Sequence, residues 1–177
     1  MKKVFIASAI AMSMAAGSAM AAQQSEVTFF GNVTNKTCDI TPEVGGSVTQ
    51  TIQLGTALVG EKAKAVDFSL KATDPNDAGC KALDAAGTAT VAWFGPFDSN
   101  GLINEKGSAT NTFVELASKN AKTTNVQKIT DSSKSVDFEA NKVINGFEFT
   151  AMLDAQTVAG ATPGTFETTA AYAVTYQ

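Results

Sequence analysis

The sequence predicts an all-β fold, and three observations support this. Apolar and polar residues alternate in eight short segments that are rich in β-branched and aromatic side chains. Clusters of Gly, Pro, Asn and Asp separate these segments. No segment beyond the N-terminal leader keeps a helical period of 3.6 residues. Seven or more short strands at this spacing favour a β-sandwich of immunoglobulin type.

The alternating segments predict the strands in chain order. They are residues 27–33, 48–54, 66–70, 88–94, 112–116, 136–138, 147–153 and 171–176. The predicted breaks are Pro42 with 45–46, then 74–77, 95–96, 99–101, 145–146 and 162–164. Trp93 lies within an alternating strand, which favours a core position over a sugar-stacking platform.

The N-terminus predicts a secretory signal peptide over residues 1–21. A basic start at residues 1–3 precedes an apolar stretch at 4–16, and Ala19-Met20-Ala21 fits the small-residue cleavage rule. The expected cut follows Ala21, with Ala22 as the alternative. A membrane anchor is disfavoured because the apolar stretch is shorter than the roughly 20 residues that span a bilayer.

The rest of the chain, residues 22–177, is long enough for one domain with a full core. Two of the 13 basic residues lie in the leader, which leaves 11 against 17 acidic residues and a net charge of −6. An acidic chain without Arg argues against nucleic acid as a partner. The lack of His removes the commonest metal ligand and general base. We therefore expect no cofactor.

Two further clusters of polar residues are candidates for chemical sites. Asp74, Asn76 and Asp77 lack the spacing of a calcium loop and favour a solvated turn. The carboxylates of strand segments alternate with apolar residues, which favours solvent-facing positions over a glycosidase pair; they are Glu115, Glu139, Glu148 and Glu167. No catalytic or metal-binding residue is predicted, and a secreted enzyme is the least favoured function.

The two cysteines, Cys38 and Cys80, predict one disulfide in an exported protein. It would close a loop of about 42 residues, for which chain entropy gives roughly 4 kcal/mol of stabilisation. A metal pair or a catalytic thiol are the alternatives, and neither has a nearby partner residue in the sequence.

With these motifs, the chain beyond its leader resembles the major subunits (pilins) of chaperone–usher fimbriae, the type 1 fimbrial protein family. The matching features are residues 27–33 followed by Cys38, the strand at 51–55, the second cysteine Cys80, Gly164 at the fourteenth position from the end, and the penultimate Tyr176.

The resemblance implies an incomplete immunoglobulin-like sandwich that lacks its last strand and is completed by a donor strand from another chain. It implies a donor-strand extension at 22–30 and a pilin domain at 31–177. In the extension, Ser25, Val27 and Phe29 lie on one face and would enter the partner. The implied acceptor groove and chaperone-binding residues are Gly164, Tyr172, Val174, Tyr176 and Gln177.

The resemblance also implies the function. The chain would be a structural subunit that polymerises by donor-strand exchange into a fimbrial shaft on the bacterial surface and supports adhesion to host cells. Its partners would be copies of itself, a periplasmic chaperone that binds the carboxylate of Gln177, an outer-membrane usher and, as a further candidate, a tip adhesin. The alternative is a minor subunit, or an adhesive pilin that binds a host glycan itself.

Overall fold

The structure is a computed structural model that describes residues 37–124 and 126–177. The predicted signal peptide, the predicted strand at 27–33 and the predicted donor residues Ser25, Val27 and Phe29 lie outside the described residues. These predictions, and the domain bounds at 22–30 and 31–177, therefore stay predictions.

The described residues form ten strands and two short helices. The strands are β1 Ile40–Val44, β2 Ser47–Val48, β3 Val66–Ala72, β4 Thr88–Phe94, β5 Leu102–Ile103, β6 Phe113–Ser118, β7 Lys128–Ile129, β8 Ser135–Glu139, β9 Phe147–Asp154 and β10 Ala171–Tyr176. The helices are α1 Ala78–Lys81 and a 3₁₀ helix at Ala140–Ile144.

The strands make two antiparallel sheets that pack face to face. The larger sheet has the order β2-β1-β3-β9-β6-β5, and β7 also pairs with β6. The smaller sheet has the order β10-β4-β8. The prediction of an all-β sandwich of immunoglobulin type is confirmed.

Aromatic side chains from both sheets form the centre of the core. Trp93 of β4 meets Phe149 of β9 edge to face at 5.3 Å and Phe68 of β3 at 6.2 Å between ring centroids. Phe138 of β8 packs on Phe147 at 4.8 Å. Such pairs add about 0.5–1.5 kcal/mol each beyond their buried area. Trp93 is therefore a core residue, as the sequence predicted.

Two predictions about the strands are wrong. Pro42 was expected at a break, but it lies inside β1 and pairs with Leu70 of β3. Residues 48–54 were expected to form one strand, but only Ser47–Val48 is a strand, because no described strand lies beside the stretch that follows. By contrast, β4 and β10 have the predicted bounds.

Cys38 and Cys80 form the predicted disulfide, which joins the start of the described chain to α1. Asp77 caps α1, where its Oδ1 accepts hydrogen bonds from the backbone N–H groups of Gly79 at 2.8 Å and Cys80 at 3.2 Å. The 74–77 turn thus positions Cys80 at a helix N-terminus. The Asp77 carboxylate therefore has a structural role in this turn, which agrees with the turn that the sequence favoured over a calcium site.

Replacing both cysteines, Cys38→Ala with Cys80→Ala, should lower the free energy of unfolding by about 4 kcal/mol, because the unfolded chain regains the entropy of its 42-residue loop. Urea unfolding of the oxidised protein and of the variant measures this. The wild type in reducing agent should match the variant, and equal midpoints for oxidised wild type and variant would show that the disulfide adds no stability.

Candidate functional site

Residues 50–57 form the first wall of an open groove. Ile52 and Leu54 are half-buried and pack against the core, whereas Thr51 and Gln53 are exposed. This is the alternation of a strand, yet the segment pairs with no strand among the described residues. Residues 51–54 of the first wall therefore have the side-chain pattern of a strand without a neighbouring described strand, and the chain leaves the extended conformation at Gly55, whose φ is 74°.

The first wall is held at both of its ends. At one end, the backbone N–H of Thr49 donates to the carbonyl of Pro42 at 3.0 Å. At the other, Gly60 N–H donates to the Ala155 carbonyl at 2.9 Å, and Lys62 Nζ lies 2.9 Å from an Asp154 carboxylate oxygen. Anchored ends let the middle of the wall stay extended without a partner strand.

Asp154 is the most deeply buried charge at this anchor, with a side chain that is 0% exposed. Burial alone would raise its pKa, but hydrogen bonds from Lys62 and from Thr157 and Gln156 lower the pKa to about 2. The carboxylate therefore stays ionised at neutral pH and ties the first wall to the end of β9.

Residues 162–170 form the second wall and lead into β10. Their outer side is bonded to the loop at 104–110: the Thr165 carbonyl accepts from Ala109 N–H at 3.0 Å, and Asn104 Oδ1 accepts from Glu167 N–H at 2.9 Å. In extended backbone, alternate residues point their polar groups to opposite sides. The backbone groups of Phe166 and Thr168 therefore face the groove.

Gly164 lies in the second wall at a close approach of two chain segments. A Cβ on this residue would lie 2.4 Å from the backbone nitrogen of Ala109 and 2.6 Å from Ser108 Oγ. The sequence predicted a turn or a close approach here, and the structure shows the latter. Its predicted role in an acceptor groove stays a prediction.

The groove between the walls consists of two adjoining cavities of about 770 and 440 Å³. Both touch the first wall at Thr51, Ile52 and Leu54 and the second at residues 167–168. The floor of the smaller cavity is apolar and comes from both sheets; its residues are Phe68, Trp93, Leu102, Val114, Leu116 and Ala151. The groove is thus a cleft that opens the core between its walls.

The other predicted groove residues follow the second wall, in β10 and at Gln177, and none of them lines either cavity. Tyr172 packs on Trp93 at 5.7 Å between ring centroids, and Val174 is half-buried against the core. Tyr176 is buried and its hydroxyl donates to the Cys38 carbonyl at 3.0 Å. Burial, with the nearby charge of Asp39, raises the pKa of Tyr176, so it stays a neutral donor. Gln177 pairs with Thr88 through its backbone.

Apart from Gly164, the cavities are lined by residues that the sequence analysis did not name as groove residues. These are the first wall and, in the second wall, Phe166 and Thr168, directly before the predicted Tyr172. The regular alternation at 48–54, interrupted at Gly55, was a signal for the first wall. Nothing in the sequence showed that this segment lacks a partner strand.

The described residues contain no cluster of His, Cys, Asp or Glu that could hold a metal ion. Within the same residues, no helix is long and apolar enough to cross a membrane.

Comparison with known proteins places the chain in a family, although no protein-family profile matches it. The chain is 43% identical over 178 residues to the F107 fimbrial protein of Escherichia coli, and the match covers 100% of both. The chain belongs to the fimbrial protein family. It is also 30% identical over 186 residues to the K99 fimbrial protein of Escherichia coli, with 99% of each covered. The resemblance to fimbrial subunits is confirmed.

Two solved structures are similar to this fimbrial chain. The P pilus rod subunit PapA is 24% identical, with a TM-score of 0.49, and the match covers 86% of the chain and 100% of PapA. The second is a chain from the structure of a chaperone-usher pilus that reveals the molecular basis of rod uncoiling. It is 22% identical with a TM-score of 0.48, and the match covers 97% of this chain and 100% of the pilus chain.

The pKa of Asp154 predicts an acid dependence of stability. Because the folded pKa of about 2 lies below the ordinary 3.8, its contribution is fully present above about pH 4 and is lost as pH falls through 2. Asp154→Asn should remove about 2 kcal/mol of stability at pH 7 and flatten the stability curve below pH 4. Urea unfolding between pH 2 and pH 7 measures both.

The matched control is Asp67→Asn. Asp67 also pairs with a lysine, Lys119 at 2.5 Å, but its side chain is 63% exposed, and exposed pairs contribute little. If both variants showed the same acid dependence, the Asp154 account would be wrong.

Gly164→Ala should displace the second wall from the 104–110 loop, because the new Cβ meets backbone atoms that cannot move alone. Strain of this kind costs about 1–3 kcal/mol. Thermal unfolding of variant and wild type measures the loss, and an unchanged melting temperature would show that the wall is not tightly held there.

Proposed function

We propose that this fimbrial chain is a structural subunit that polymerises by donor-strand exchange into a shaft on the bacterial surface. One observation carries the proposal: an apolar floor lies open between the first and second walls, and no described strand lies between them. An added strand supplies backbone hydrogen bonds to the walls and side chains to the floor.

The occupant that we propose is the extension at residues 22–30 of a neighbouring copy. Nine extended residues span about 30 Å, which exceeds the roughly 13 Å of the alternating residues 51–54, so the extension is long enough to pass along the first wall. Val27 and Phe29 lie on one face of an extended segment and match the apolar floor. Burying two such side chains contributes roughly 1.5–3 kcal/mol each.

Such a contact joins the extension of one copy to the groove of the next. Because the two surfaces differ, the contact repeats without closing and produces a filament. The names of the relatives, both fimbrial proteins, support a filament. We place the filament on the cell surface, where it would support adhesion to host cells.

An unassembled subunit would expose its groove, and exposed strand edges over apolar surface invite aggregation. We therefore propose that a periplasmic chaperone covers the groove and binds near Gln177. An outer-membrane usher would then replace the chaperone with the next subunit. In this role Gly164, Tyr172, Val174 and Tyr176 border the chaperone strand as well as the donor strand.

A self-complemented chain tests the proposal. A copy of residues 22–34 is joined after Gln177 by a short flexible linker, and its melting temperature is compared with that of the chain beginning at Ala22 without the copy. We expect a monomer that melts at least 10 °C higher, because the copy fills the groove within its own chain.

The control carries Val27→Asp and Phe29→Asp in the appended copy only. Its melting temperature should fall back to that of the chain without a copy, because charged side chains cannot enter an apolar floor. Equal melting of the self-complemented chain and the chain without a copy would mean that the sandwich needs no further strand.

A further inference from the structure

Three buried polar atoms of the groove have no hydrogen-bond partner among the described residues. They are Trp93 Nε1, Thr112 Oγ1 and Thr168 Oγ1. Trp93 is 5% exposed and Thr112 is 8% exposed, so both are more than nine-tenths buried. Buried polar groups are nearly always paired in native proteins, because an unpaired one keeps its desolvation cost.

Two of the three threonine hydroxyls that are unpaired among the described residues, those of Thr112 and Thr168, belong to the groove, whereas the third, Thr150 Oγ1 in β9, lines neither cavity. Other threonines of the second wall have partners: the Thr162 hydroxyl lies 2.8 Å from that of Thr110, and Thr165 Oγ1 accepts from Ser108 N–H at 3.2 Å. Thr168 lines both cavities, whereas Trp93 and Thr112 line one each. An occupant of the groove is therefore placed to supply partners for these three atoms.

The chemistry of these atoms restricts the occupant. The indole N–H of Trp93 only donates, so it needs an acceptor, whereas the hydroxyls of Thr112 and Thr168 can donate or accept. An occupant with a purely apolar inner face would leave all three atoms unpaired. An inner face with amide or hydroxyl groups beside apolar ones can satisfy them.

The extension at 22–30 has such a face. Its alternation puts Gln23 and Ser25 on the same side as Val27 and Phe29. We infer that Gln23 and Ser25 of the incoming segment pair with the unpartnered groove atoms, so that Thr112, Thr168 and Trp93 select a donor segment with a partly polar inner face. This inference rests on the proposed function. A site with buried polar groups rejects a ligand that leaves them unpaired.

The double variant Thr112→Val and Thr168→Val tests the inference, because valine keeps the shape and removes the hydroxyl. In the chain without a copy, it should raise the melting temperature by about 2–4 °C, since buried unpaired groups are lost. In the self-complemented chain, it should lower the melting temperature by a similar amount, since Gln23 and Ser25 of the appended copy lose their partners. Calorimetry measures both shifts.

A compensating change makes the test specific. Gln23→Leu with Ser25→Val in the appended copy should lower the melting temperature when the groove is wild type and restore it when the groove carries the two valines. As a control, Thr90→Val removes a hydroxyl that already pairs with Asp137 at 2.6 Å, in the smaller sheet, and should destabilise both chains equally.

Shifts of the same sign and size in the two chains would overturn the inference, as would failure of the compensating change to restore stability. Failure of the proposed function itself has a different signature, since the wild-type chains with and without the appended copy would then melt alike.

Discussion

An apolar floor lies between the first and second walls, and no described strand covers it. The rest of the structure depends on this one constraint. The core of a sandwich is stable when water is kept from both sheets, and here Trp93 and Phe68 border the opening. Residues 51–54 of the first wall and the second wall lie on either side of the groove, and no described strand pairs with both. Filling the groove is therefore equivalent to completing the fold.

The walls keep their separation because each is bonded away from the groove. The first wall is anchored beyond its end by the ion pair of Lys62 with the buried carboxylate of Asp154, and the second is bonded by its outer side to Asn104. At Cys38, the disulfide fixes the start of the described chain to α1, and the Tyr176 hydroxyl bonds it to β10. The opening is thus pre-formed, so an incoming strand need not order the walls, which lowers the entropic cost of its binding.

The sequence predicts most of the sandwich and only part of the groove. β4 and β10 alternate regularly in sequence, and β4 is also buried on one face, so their bounds follow from period two. β1 was missed because Pro42 marks a break in most contexts but here sits inside a strand. The first wall was predicted as a strand because its side chains alternate, and pattern does not show whether a partner strand exists. The pairing of Cys38 with Cys80 was predictable because the chain has only these two cysteines.

The most direct test of the central claim is amide hydrogen exchange of residues 52–57 and 164–170 in assembled filaments and in unassembled subunits. If a strand of a neighbouring copy fills the groove, exchange of these amides should slow at least about 100-fold on assembly, which corresponds to about 2.7 kcal/mol of added protection. Amides of β4, which is already paired on both sides, should be protected in both states. Equal exchange of both walls in filaments and subunits would contradict the claim that assembly completes this sheet.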